Sequence, residues 1–224
     1  MPEKGTVLWT GGKDSALALY KASQLGIEII NLSTFTPKGA NFRAHPLNYL
    51  TSQAEALGIP HYILNIEEPY DISYENQLTY LKEKTGISII ISGDISEVDD
   101  YPNWITERCK SINCEIFLPL WYSNRLELLE TLLKNKFEII FSCVKEPWLT
   151  KQWVGKKMNR TTIKELISLN QEKNLDLCGE QGEYHTLVLD SPNFKKRIKI
   201  LDYSVISDES IHYLNLKEYS LQDK

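Results

Sequence analysis

Thr10-Gly11-Gly12-Lys13-Asp14-Ser15 gathers two glycines, a cation, a carboxylate and two hydroxyls between an apolar run, Val7-Leu8-Trp9, and a helix-like run, Ala16 to Ala22. Paired glycines let the backbone turn tightly and bring its N–H groups against a ligand, and a helix starting there turns its positive end to the same point. The chemistry this predicts is phosphate binding, and so a nucleotide. Lys13 adds a mobile positive charge, Asp14 a magnesium ligand, and Ser15 an N-cap hydroxyl and a further phosphate contact. The glycines are adjacent, so the stretch is not the GxxxxGK[ST] loop, which separates them by four residues.

A second dense stretch, Cys178-Gly179-Glu180-Gln181-Gly182-Glu183-Tyr184-His185-Thr186, runs into Leu187-Val188-Leu189-Asp190-Ser191-Pro192. Two glycines, two carboxylates, an imidazole and a hydroxyl ahead of a strand read as a binding loop. Gly93-Asp94 follows the apolar run Ile87 to Ser92, at the strand end where open parallel sheets bind ligands; Asp94 there faces a nucleotide or its magnesium, or caps the next turn. Arg43 and His45 stand in a polar loop, Thr36 to Pro46, and could meet phosphates or carboxylates. Trp104, Trp121, Trp148 and Trp153 are expected to serve packing.

These residues need a scaffold that brings strand ends together. Apolar runs at Val7–Trp9, Ile27–Phe35, His61–Ile66, Ile87–Ser92, Glu115–Trp121 and Phe137–Val144 alternate with helix-like segments, the first three of which end near Gly26, Gly58 and Lys84. Dense apolar runs alternating with helices predict a doubly wound parallel α/β sheet, Rossmann-like in class. Past Val144 the periodicity weakens around Pro147, Trp148, Trp153 and Gly155. The expected division is therefore a nucleotide-binding domain over 1–145 and a smaller α+β substrate-binding subdomain over 146–224, ending in two edge strands or a hairpin.

With 224 residues, 42% hydrophobic and 25% charged, the chain can bury a substantial core. A net charge of −5 gives no support to general nucleic-acid binding. Cys109, Cys114, Cys143 and Cys178 form no CxxC pair and are expected as reduced thiols. No apolar run approaches the roughly 18 residues of a membrane span, and the start of the chain lacks signal-peptide features, so the expected location is cytoplasmic, with no membrane partner.

The TGGKDS loop resembles the SGGKDS pyrophosphate loop of the ATP pyrophosphatases, with Thr10 in place of the first serine. Together with Gly93-Asp94-Ile95, Pro119-Leu120-Trp121 and the 180–192 stretch, it resembles the diphthine–ammonia ligase family of that superfamily over roughly residues 5 to 202. The resemblance implies an adenine nucleotide α-hydrolase-like fold, ATP and Mg2+, and an amidation in which a substrate carboxylate is adenylated and ammonia displaces AMP. It places Thr10, Gly11, Gly12, Lys13, Asp14 and Ser15 on the phosphates, with Asp14 on the metal. Glu180, Gly182, Glu183, Tyr184 and Thr186 would line the acceptor or ammonia site.

His185 and Gln181 depart from the family's usual Glu-Gly-Gly-Glu-Tyr-Glu-Thr, removing one carboxylate, as in a bacterial-type branch. That weakens the case for diphthine's trimethylammonium group and admits another carboxylate, such as a corrinoid precursor. Glu183 or His185 could deprotonate ammonium or the tetrahedral intermediate, an unperturbed imidazole titrating near pH ~6.5. The partners implied are ammonia and diphthine on an elongation factor, or a small molecule; a homodimer is one assembly allowed. The competing readings are tRNA thiolation, opposed by the lack of paired cysteines, and a non-catalytic ATP-binding sensor.

Overall fold

A computed structural model describes residues 2–40, 42–97 and 103–224. Packing groups them into two compact units, one of 1–10, 14–41 and 59–122, the other of 11–13, 42–58 and 123–224.

The first unit is built on five parallel strands, β1 (Lys4–Leu8), β2 (Glu28–Pro37), β3 (His61–Ile66), β4 (Ile89–Ile91) and β5 (Glu115–Phe117), in the order β3-β2-β1-β4-β5. Three consecutive isoleucines make β4, and all three are buried, as a strand covered on both faces requires. Helix α1 (Lys13–Gln24) buries Ala16, Leu17, Ala18, Leu19 and Ala22, small and long apolar side chains at helical spacing. Helix α3 (Tyr70–Thr85) contributes Leu78 and Leu81, and α4 (Trp104–Ser111) contributes Ile105 and Cys109, to one cluster with Ile87, Ile90 and Cys114.

The strand order reverses at β1. The chain winds outward through β2 and β3, then crosses to β4 on the other side of β1, where Val7 pairs with Ile91. The segments leaving β1 and β4 therefore emerge side by side at the carboxyl edge, the switch point where α/β sheets hold ligands. Gly93 meets the start of α1 there, and a Cβ on it would lie 2.6 Å from the Asp14 carbonyl carbon and 2.7 Å from the Ser15 nitrogen.

The second unit holds an antiparallel sheet in the order β7-β6-β9-β8, made of β6 (Glu138–Lys145), β7 (Tyr184–Asp190), β8 (Lys196–Asp208) and β9 (Ile211–Asp223). Helices α2 (Leu47–Leu57), α5 (Arg125–Lys134) and α6 (Arg160–Lys173) belong to the same unit. The run 137–144, expected as a sixth parallel strand, is instead an inner strand here, with Ile139 opposite Val188 and Cys143 opposite both His185 and Tyr213. Its six central residues are all buried, so hydropathy alone reads the same for either sheet. The two terminal runs form the expected hairpin, thirteen residues a side, with register shifts between Ile200 and Tyr203.

Gly93→Ala is expected to destabilise the protein by about 1–3 kcal/mol, since the methyl group meets backbone rather than a movable side chain. Urea unfolding checks this; an unchanged midpoint would show that β4 and α1 do not approach so closely.

Candidate functional site

The loop after β1 is fixed residue by residue. Trp9 N–H donates to the Ser33 carbonyl (2.8 Å) and Thr34 Oγ1 donates to the Trp9 carbonyl (2.6 Å), so the strand's exit is tied to β2. Thr10 Oγ1 donates to Ser15 Oγ (3.2 Å), a hydroxyl pair across the turn.

Gly11 has φ +74°, and a Cβ there would fall 2.3 Å from Gln53 Oε1 and from Leu50 Cδ2. Its carbonyl accepts from Gln53 Nε2 (2.9 Å) and from the Val188 N–H (3.1 Å), while Gln53 Nε2 also reaches the Val188 carbonyl (2.8 Å). Glycine is thus required at position 11 by both dihedral and space. Gln53, fully buried in α2, is the side chain that holds it. No sequence signal marks that role, because a glutamine inside an amphipathic helix ordinarily reads as surface.

Lys13 is 2% exposed. Its N–H, one of the free amides of a helix start, donates to Thr186 Oγ1 (3.0 Å). Its ammonium donates to the Cys178 carbonyl and lies 5.2 Å from the centre of the Tyr184 ring. Two residues of the 178–186 stretch thereby house the lysine's charge, and a third caps its backbone.

That stretch is braced from within. Glu183, 1% exposed, accepts from the Asp176 N–H (2.7 Å) and the Gln181 N–H (2.9 Å), which makes its carboxylate a clamp on two backbone amides. Asp176 Oδ1 accepts from the Cys178 N–H (2.7 Å) and the Glu180 N–H (3.4 Å), and Oδ2 pairs with Arg125 Nε (3.3 Å). Tyr184 donates its hydroxyl to the Leu177 carbonyl (2.6 Å). Gly179, at φ +78°, has no room for a Cβ, which would sit 2.7 Å from the Tyr184 carbonyl oxygen, whereas Gly182, at φ +81°, turns in open space. Asp176 was missed in the sequence; its one signal is an aspartate two residues ahead of an amide at a turn.

His185 is the second residue of β7 and exposed, so it belongs to a strand rather than a loop. Its ring stands edge-on to that of His45, with centroids 5.4 Å apart and planes at 83°. Burial, then the charges of His185 and Lys13, push the His45 imidazole down to about 3, and its Nδ1 is buried with no hydrogen-bond partner. His185 is also lowered, by burial and then by Lys13; given its exposure, the nearby charge carries more weight than the burial.

Within the second unit the fold therefore gathers Lys13, His45, Tyr184, His185 and Thr186. Within the first it sets Gly93 against Asp14 and Ser15. Asp94 Oδ2 accepts from Asn103 Nδ2 (2.6 Å) while Asn103 Oδ1 caps α4 through the Thr106 N–H (3.0 Å), so Asp94 steadies a helix start. Arg43 pairs with Asp208 (2.5 Å) and lies over Tyr213. Trp153, 7% exposed, packs on Phe141 as expected of a packing aromatic, whereas Trp104 stands edge-on to Tyr74 and is 45% exposed.

A five-stranded parallel sheet with its helices, and a separate antiparallel sheet whose strand β7 follows an acidic glycine-rich loop, define an α/β protein of two units. The chain belongs to the diphthamide synthase family: the family's N-terminal domain matches residues 3–115 and its C-terminal domain residues 124–221. It is 28% identical to a diphthine–ammonia ligase of Schizosaccharomyces pombe over 94% of this chain, spanning 38% of that longer relative. It is 27% identical to the diphthine–ammonia ligase of Bos taurus over 97% of this chain and 92% of that protein. Among solved structures, a predicted subunit of a tRNA methyltransferase from Methanocaldococcus jannaschii aligns at TM-score 0.46 and 16% identity, covering 85% of this chain and 98% of that one. Among the described residues no helix is long and apolar enough to cross a membrane.

Glu183→Gln replaces one acceptor oxygen by an amide group facing a backbone donor. The expected loss is about 1–3 kcal/mol of stability, read by denaturant unfolding and accompanied by faster hydrogen exchange at Asp176 and Gln181. Wild-type stability would show that the clamp is dispensable.

Proposed function

We propose that this protein is an ATP-dependent carboxylate–ammonia ligase acting on diphthine of an elongation factor. The observation that carries the reading is the seating of Lys13, at the head of α1, on the Cys178 carbonyl and the Tyr184 ring of the 178–186 loop. One residue thereby serves both motifs.

In the proposed reaction an acceptor carboxylate oxygen attacks the α-phosphorus of ATP and pyrophosphate leaves. Ammonia then attacks the activated carbonyl carbon, AMP departs, and one proton is released. Gly11 and Gly12 shape the turn, and Lys13 and the hydroxyls of Thr10 and Ser15 supply cation and donors for charge growing on the departing pyrophosphate. Magnesium suits the carboxylate of Asp14, since this ion is ordinarily held by one or two carboxylates together with phosphate oxygens. It would neutralise phosphate charge there. Glu180, Gly182 and Tyr184 fall to the acceptor side, Glu183 holding their loop in shape. His185, neutral beside Lys13, is placed to take the proton lost on amide formation.

A second acceptor, another small carboxylate such as a corrinoid precursor, is favoured by one observation: the residue beside Tyr184 is an imidazole paired with a second imidazole, where a carboxylate would attract a trimethylammonium group. The expected setting is the cytoplasm.

Pyrophosphate release, measured with ATP, magnesium and ammonium against a panel of diphthine-bearing elongation factor and corrinoid acids, should depend on one acceptor. Lys13→Met and Asp14→Asn are each expected to lower that rate by about 10²-fold or more, with the fold intact by circular dichroism. Acceptor-dependent turnover at the wild-type rate in either variant would refute the phosphate assignment; release with no acceptor dependence would refute the ligase.

A further inference from the structure

We infer that His45 and His185 form a binding site for neutral ammonia beside Lys13, a site resting on the ligase reading above. Buried polar atoms almost always have partners, yet His45 Nδ1 is buried with none. It belongs to a ring held edge-on to His185 at 5.4 Å, on the loop that enters α2. The charged or titratable groups that act on it are His185 from β7 and Lys13 from the head of α1, so the pair sits in the field of a cation.

This chemistry selects between the two forms of the nucleophile. Ammonium brought beside Lys13 meets like charge at short range. Neutral ammonia meets no such penalty: it donates N–H to an imidazole nitrogen and keeps its lone pair for a carbonyl carbon. Both imidazoles are held neutral by burial and by Lys13, so a ring nitrogen is free to accept. With the ring proton on Nε2, Nδ1 of His45 is that acceptor. The pair thus binds the form of the nucleophile able to attack, and His185, the more exposed ring, is left to pass the released proton outward.

The test separates activation of the acceptor from use of ammonia. Acceptor-dependent exchange of labelled pyrophosphate into ATP, run without ammonium, reads the first; amide formation at graded ammonium chloride reads the second. In the wild-type protein kcat/KM for total ammonium should rise about tenfold per pH unit between about pH 6 and 8, and stay level when expressed as free ammonia. In His45→Leu the ratio of amide formed to exchange should fall about tenfold at fixed low ammonium and recover at high ammonium, the signature of a raised KM. His45→Asn, whose side-chain oxygen can stand near the place of Nδ1, should restore most of it. A wild-type ratio in His45→Leu, or a level profile in total ammonium, would overturn the ammonia site. No acceptor-dependent exchange in the wild-type protein would instead overturn the ligase reading, and the ammonia site with it.

Discussion

The carbonyl of Gly11 accepts two hydrogen bonds, from the side chain of Gln53 and the backbone of Val188, and the rest of the site depends on that junction. A backbone oxygen with two donors, in a residue whose dihedral angles exclude a Cβ, cannot rotate without losing both. Its neighbour inherits the restraint, for the Lys13 amide is delivered to Thr186 Oγ1. An anion site built of backbone N–H groups works only if those groups already point the right way, because donors that must reorganise give back much of the stabilisation they provide. The turn's geometry is imposed from α2 and β7, two elements far from it in sequence.

The acidic, glycine-rich loop follows the same logic with different chemistry. Glu183 and Asp176 face inward and gather four backbone amides between them, which lets a segment with little regular structure keep one shape. Buried carboxylates need such donors, and a loop needs such acceptors, so each solves the other's difficulty. His185, exposed on β7, is then presented directly after a braced loop.

The alternation of apolar runs and helices made the parallel sheet legible, and the glycine pair followed by Lys-Asp-Ser marked its switch point, because both signals are local. What escaped was set by partners distant in sequence. The run 137–144 is buried on both faces, and burial of that kind does not say whether neighbours run parallel or antiparallel. Glu183 reads in sequence as an acid or base and sits in the structure as a clamp, since the two amides it serves can be recognised only once the loop has closed. Gln53 and Asp176 carry no motif at all. His45, a lone imidazole in a polar loop, gains meaning only from the ring of His185 that the fold sets beside it.

The hydroxyl that receives the Lys13 amide comes from a residue 173 positions further along the chain. Contacts of such span form only after a large loop has closed, and they weigh against rapid assembly. On a ribosome the N-terminal sheet can pair while Thr186 has yet to be made, so the strand and helix around the glycine turn exist for a time without the contacts that aim it. The turn takes its finished shape only when the chain's later portion arrives. The proposed nucleotide site is therefore completed late in biosynthesis, and a nascent chain halted before β7 would carry the motif without its shape.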